Sequence, residues 1–193
     1  MGLLKPSDGN ITINGIDVYN IPNTEKRKIF GYVDQSFHLI KGTVAEQISL
    51  QDDNITRGQI ENALDFVGMT DYVTSLERGY DTIVSNGNAF SQGQKQLLAI
   101  ARAIVTNPPI LLLDEITANL DSITEEKIVF VLQKASNAHT ILSISHRLSS
   151  MIASDTVVIL ENGRVKNVGS PDMLLQNDDW YRSHIALEKL TWS

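Results

Sequence analysis

An unbroken apolar run, "ILLLD" at 110–114, and a second run carrying Ile141, Leu142 and Ile144, "TILSIS" at 140–145, constrain this chain more than any other feature. Between them lies "SITEEKIVFVLQKAS", whose apolar residues recur with a helical period. Strands that are apolar on successive residues are covered on both faces, the pattern of strands inside a parallel sheet. Strand, helix, strand in that order therefore indicates an α/β fold with a parallel sheet, and both strands are expected to be buried. Each run ends in polar groups, Asp114 and Glu115 after the first and His146 after the second. In such sheets ligands bind outside the carboxyl ends of the strands, where these residues would sit.

The first half reads differently. "NITINGIDV" alternates around Asn14-Gly15, the strongest short signal for an antiparallel hairpin. "KIFGYVDQ" is a further strand that ends on Gln35. Thr43 with Glu46 and Thr56 with Gln59 then carry the spacing of capping boxes that open two helices. In the second helix Ile60, Ala63, Leu64 and Val67 form one apolar face, and Gly68 is its stop. Residues 43–79 are thus expected to form a helical subdomain, with 1–42 and 80–193 as the core. Ser91 and Gln94 open the next helix, which stops before Asn107-Pro108; Ser122 with Glu125 is expected to cap the helix between the two apolar strands. "DTVVILENGRVKNVG" turns at Asn162-Gly163, and Ser170-Pro171 opens the C-terminal helices.

Composition narrows the function. At 193 residues, 42% hydrophobic and 20% charged, the chain is long enough for a real core and reads as soluble and globular. A net charge of -7 argues against nucleic acid as a partner, and the absence of cysteine excludes disulfides and thiolate metal sites. The apolar runs are too short to cross a bilayer and the first residues, "MGLLKPSDGN", do not read as a secretory signal, so any membrane would come from other segments.

The chemistry follows from the strand tips. Of two adjacent acids, one suits Mg²⁺ and the other an attacking water. An acid pair at a strand end also serves simply as a helix cap, a lone histidine there is commonly structural, and a solvated glutamine is ordinary. Asp114-Glu115, His146 and Gln35 on three strand tips are together a constellation. "FSQGQ" at 90–94 opens a helix, where free N–H groups and the helix dipole favour an anion. Capping accounts for Ser91 and Gln94 but leaves Gly93 unexplained, at a cost of about 1 kcal/mol against alanine; close approach of a ligand to the backbone would explain it.

The order "YVDQ", "FSQGQKQLLAIARAIV", "ILLLDE", "ANLD", "SISH" resembles the Q-loop, signature motif, Walker B strand, D-loop and switch histidine of ABC ATPases. "GTVAEQISL" and "GYDTIVSNGNAFSQGQ" are most similar to the nucleotide-binding domains of ABC exporters. The resemblance implies a P-loop NTPase-like parallel sheet with flanking helices, an antiparallel hairpin and a helical subdomain. It implies ATP and Mg²⁺ as ligands, with Asp114 and Gln35 at the metal, Glu115 as the catalytic carboxylate and His146 on the γ-phosphate. Ser91, Gly93, Gln94 and Asp121 would face ATP or the dimer interface, because the family closes two such domains head to tail. The other partner implied is a transmembrane domain, which would hold the chain at the cytoplasmic face of the cell membrane.

Departures accompany the resemblance. Gln92 stands where glycine is usual, Phe90 where leucine is usual, Asp34 where proline often precedes the glutamine, and "VSNGNA" lacks the acid expected in exporters. The phosphate cradle, Gly-x-x-x-x-Gly-Lys-Ser/Thr, is expected just before "GLLKPSDG", and the 193 residues contain no such pattern. The chain thus reads as an exporter ATPase domain truncated at its N-terminus, lacking the first core strand and P-loop, and inactive alone. The rival reading is a non-catalytic module that donates its signature motif in trans; Glu115 and His146 argue against it, since a dead site needs neither. A soluble ABC ATPase of DNA repair or chromosome architecture is disfavoured by the acidic balance and the lack of a coiled-coil insertion.

Overall fold

The computed structural model describes residues 2, 4–84, 90–118, 120–147 and 151–190, with backbone alone at 189 and 190. The elements begin with β1 (Thr12–Ile13), β2 (Ile16–Asp17), α1 (Asn23–Ile29), β3 (Phe30–Val33) and β4 (Gly42–Thr43). Next come α2 (Val44–Ser49), α3 (Arg57–Phe66), α4 (Thr70–Ser75), β5 (Ile83–Val84) and α5 (Gln92–Ile104). The second half holds β6 (Ile110–Asp114), α6 (Ser122–Ser136), β7 (Thr140–Ile144), β8 (Val157–Glu161) and β9 (Arg164–Gly169). It closes with α7 (Pro171–Asn177) and α8 (Asp179–Leu190).

β3, β6 and β7 form the parallel sheet, with β6 in the centre. Register at the entrance to β7 is held by His139, whose Nδ1–H donates to the Pro108 carbonyl at 2.6 Å, and by the Thr140 amide on Pro109 O at 2.8 Å. One sheet face is closed by α5 so tightly that a Cβ on Gly31 would overlap the Ala103 carbonyl oxygen. Val33, Leu111 and Leu113 point into that side and are buried. On the other side Tyr32, Leu112 and Leu142 stand in register across the three strands, and Leu142 and Ile144 are 63% and 60% exposed. The expectation that "TILSIS" is buried on both faces is therefore wrong for this chain. The physical reason is that β7 pairs on one side only among the described residues, and nothing described covers its second face.

The antiparallel parts exceed the single hairpin inferred from the resemblance. β1–β2 turns at Asn14-Gly15 and β8–β9 at Asn162-Gly163, each turn pair with positive φ, as the two read motifs require. A third pairing, β4 with β5, joins the two ends of the helical stretch and has no local signal. Lys28 and Ile29 belong to α1 rather than to the strand, which starts at Phe30.

Both capping boxes of the helical stretch are formed, at Thr43/Glu46 and Thr56/Gln59. α3 ends in a Schellman motif: Met69 N–H reaches Leu64 O at 2.8 Å, Gly68 N–H reaches Asp65 O at 3.0 Å, and Gly68 has φ 70°. Ile60, Ala63, Leu64 and Val67 are buried as one face, in the same apolar cluster as Leu98 and Ile100 of α5 and Leu111 of β6. A second, smaller cluster joins Val157 and Ile159 of β8 to Leu174, Tyr181 and Ile185 of α7 and α8.

Candidate functional site

Three strand tips converge on one carboxylate. β6 ends at Asp114, and Glu115 leaves it with φ 47°, a left-handed conformation that non-glycine residues seldom adopt. Such conformations concentrate at functional sites, where the surroundings enforce them. Here the Glu115 N–H is fixed on Ile144 O of β7 at 2.9 Å, which aims the side chain beyond the sheet edge. Its Oε2 accepts from Gln35 Nε2 at 2.7 Å, and its Oε1 lies 2.8 Å from His146 Nε2. A carboxylate only accepts, so Gln35 must turn its nitrogen inward, leaving its Oε1 turned away as an acceptor or metal ligand. Gln35 and His146 each lie two residues past the ends of β3 and β7, so neither belongs to its strand as expected, yet both reach the same point. With Ser145, Arg147 and the turn at Thr117 and Ala118 they line an open pocket of about 340 Å³.

The neighbourhood favours a cation. Asp114 is half-buried on the face that carries Tyr32 and Leu112. The Tyr32 phenol is pushed above its ordinary value, first by burial and then by the carboxylates of Asp34 and Asp114. Mg²⁺ takes one or two protein carboxylates and fills its octahedron with water and phosphate oxygens. Asp114 and the Gln35 Oε1 fit that sparse donor set; among the described residues no cluster of three or more His, Asp or Glu could form a complete cage.

Ser91, Gly93, Gln94 and Asp121 form a second group outside this pocket. Ser91 caps α5, accepting from the Gln94 N–H at 3.2 Å while Gln94 Oε1 accepts from the Ser91 N–H at 2.8 Å. Gly93 is buried against α6, where any Cβ would overlap Thr124 Cγ2. Helix packing within the chain thus accounts for the glycine that capping left unexplained. The predicted cap of α6 needs correction: the N-cap is Asp121, which accepts from the Thr124 N–H at 2.9 Å and the Thr124 hydroxyl at 2.7 Å. Those two bonds, hydroxyl first, hold the Asp121 carboxyl below its ordinary value. Glu125 is buried and engaged with Arg147, so it is no partner for Ser122. Residues 85–89, where the acid expected of exporters was missing, and Asn119 lie outside the described residues.

Sequence reasoning missed Arg147, Thr124 and Gln96. Buried Gln96 donates from Nε2 to the Gln35 carbonyl at 3.2 Å, tying α5 to the loop after β3. Its place on the inner face of an amphipathic helix was the one available signal; the contacts of Arg147 with Glu125 and of Thr124 with Gly93 span 22 or more residues.

The parallel sheet thus gathers an acid pair, a glutamine and a histidine beyond the carboxyl ends of its strands, where open α/β sheets bind ligands. The sequence model of the ABC transporter family matches residues 1–118. The ATM1-type heavy metal exporter of Novosphingobium aromaticivorans is 38% identical over 91% of this chain and 29% of its own length. The uncharacterized ABC transporter ATP-binding protein YfiC of Bacillus subtilis is 36% identical over 92% of this chain and 30% of its own length. The solved structure of a bacterial Atm1-family ABC exporter with ATP bound superposes with a TM-score of 0.85 at 37% identity, covering 95% of this chain and 32% of that one. The chain belongs to the ABC transporter family, on the exporter side of it, and spans about a third of the length of these relatives.

Proposed function

We propose that this chain is the hydrolytic part of an exporter ATPase domain and couples ATP hydrolysis to transport through a transmembrane partner. One observation carries the reading: Glu115 is held in a strained backbone conformation between Gln35 and His146, at 2.7 and 2.8 Å. A carboxylate so oriented can take a proton from an attacking water, while His146 supplies a donor to phosphate oxygen. Mg²⁺ would be held by Asp114 and the Gln35 carbonyl oxygen and supplies charge neutralisation at the phosphates. Ser91, Gly93, Gln94 and Asp121, set apart from this pocket, suit contact with a nucleotide held by a second domain in a head-to-tail dimer. The phosphate cradle would be supplied by a further segment, and the edge of β7 that is unpaired among the described residues is the natural place for its strand. The apolar exposure of Leu142 and Ile144 supports the same reading.

Calorimetric titration of the isolated chain with MgATP tests this. Very weak binding is expected, because most phosphate contacts in such sites come from the cradle. Joining a strand–cradle–helix segment ahead of residue 1 should confer binding and turnover. Micromolar affinity of the unjoined chain, or binding without turnover once joined, would sink the reading; the second outcome would favour a module that serves a partner's site.

A further inference from the structure

One largely buried ion pair beside the site takes no part in the chemistry above. Glu125, in the first turn of α6, is 4% exposed, and the Arg147 guanidinium reaches it through Nη1. Arg147 Nη2 donates to the Leu120 carbonyl at 3.3 Å. Arg147 follows His146 directly, and the corner is folded by Ser145, whose Oγ accepts from the Arg147 N–H at 3.0 Å. The residue after the histidine is therefore fixed at two points of segment 120–125. That same turn of α6 carries Thr124, the residue packed against Gly93 of α5.

Desolvating a carboxylate and a guanidinium cancels much of their attraction, so a buried pair is a poor source of net stability and a better device for fixing one arrangement. Here the arrangement it fixes is a short path: Gly93 on Thr124, Glu125 on Arg147, and His146 on Glu115. We propose that Arg147 is a positioning residue that sets His146 against Glu115 and ties it, through Glu125, to the N-terminal end of α5. A shift of that end is passed to the histidine without a contact between the two. The inference rests on the ATPase reading above.

The test compares R147Q, E125Q, the double variant and R147K in the ATPase joined to its cradle segment. R147Q should lower kcat about tenfold or more with KM for ATP changed less than about twofold, the signature of lost positioning rather than lost binding. The double variant should fall no lower than R147Q, because two residues acting as one unit are non-additive, and should melt later than either single variant because no charge remains buried alone. R147K, which keeps the charge but not the two-armed grip, should recover part of the rate. On the isolated chain, ring NMR signals of His146 should move in R147Q and in E125Q, while those of His38 and His184 stay. A double variant that folds and turns over at the wild-type rate, or an unmoved His146, overturns the proposal and leaves the ATPase reading intact. A joined wild type that binds but does not hydrolyse ATP removes both.

Discussion

The stretch from β3 to β6 and the stretch from β7 onward are built from comparably apolar sequence, and they are finished very differently. In the first, α2, α3, α4 and α5 share one continuous core with β3 and β6, and Leu64, Leu98 and Leu111 are wholly buried. In the second, β8, α7 and α8 make a small core of their own, while Leu142, Ile144 and Leu160 lie exposed. Apolar pattern marks a face to be covered; whether it is covered depends on what else is present. The candidate site lies on the seam, drawing Gln35 and Glu115 from the finished half and His146 from the open one.

The severest way to break that seam is Glu115→Gln in the ATPase joined to its cradle segment. Losing a general base typically costs about 10²–10⁴-fold in turnover, and nucleotide affinity should persist because size and the proposed metal donors are kept. Steady-state rates with a parallel binding titration decide it; affinity lost along with turnover would make Glu115 a structural or metal residue.

Stability separates the halves next. Leu64→Ala should cost about 2–5 kcal/mol as a core cavity, whereas Leu142→Ala should stay within about 0.5 kcal/mol. Urea denaturation of both variants checks this, and similar losses would mean that β7 is covered in solution. Hydrogen exchange on the isolated chain sharpens the point. Amides of Thr140–Ile144 should exchange faster than those of α5, since an edge strand with one open face opens at low cost. Equal protection in a monomer would contradict the open edge.

The smallest effects fall on the caps. Thr56→Ala should cost about 1 kcal/mol, while Ser122→Ala should change little because Asp121 is the cap. Acid should loosen the start of α6. The folded Asp121 carboxyl sits below its unfolded value, so the cap is complete above the ordinary carboxylate range and is lost as pH falls through the lowered folded value. Carbon NMR of the carboxyl with exchange at the Thr124 amide follows both sides of this linkage.

These cases also show what was legible. The boxes at Thr43, Thr56 and Ser91, the turns at Asn14-Gly15 and Asn162-Gly163, and the stop at Gly68 are satisfied within a few residues, so spacing alone discloses them. The cap of α6 misled because Asp121 and Ser122 are adjacent competitors, and the nearby Glu125 was claimed by Arg147 from across the fold. Of the site, the three polar strand tips were readable as candidates, but their meeting at one carboxylate was not.

By itself the sequence determined the α/β alternation, the parallel strands, the helix starts and stops, and the presence of an acid pair, a glutamine and a histidine at strand ends. Those properties follow from periodicity, capping and backbone preference, all of which act over a few residues. Only the tertiary structure decided that Glu115 is gripped by residues 80 and 31 positions away along the chain, that Gly93 is required by Thr124, and that the described residues leave β7 open on one face. Such outcomes depend on which distant surfaces meet, and burial is a property of the pair that meets, not of either segment alone.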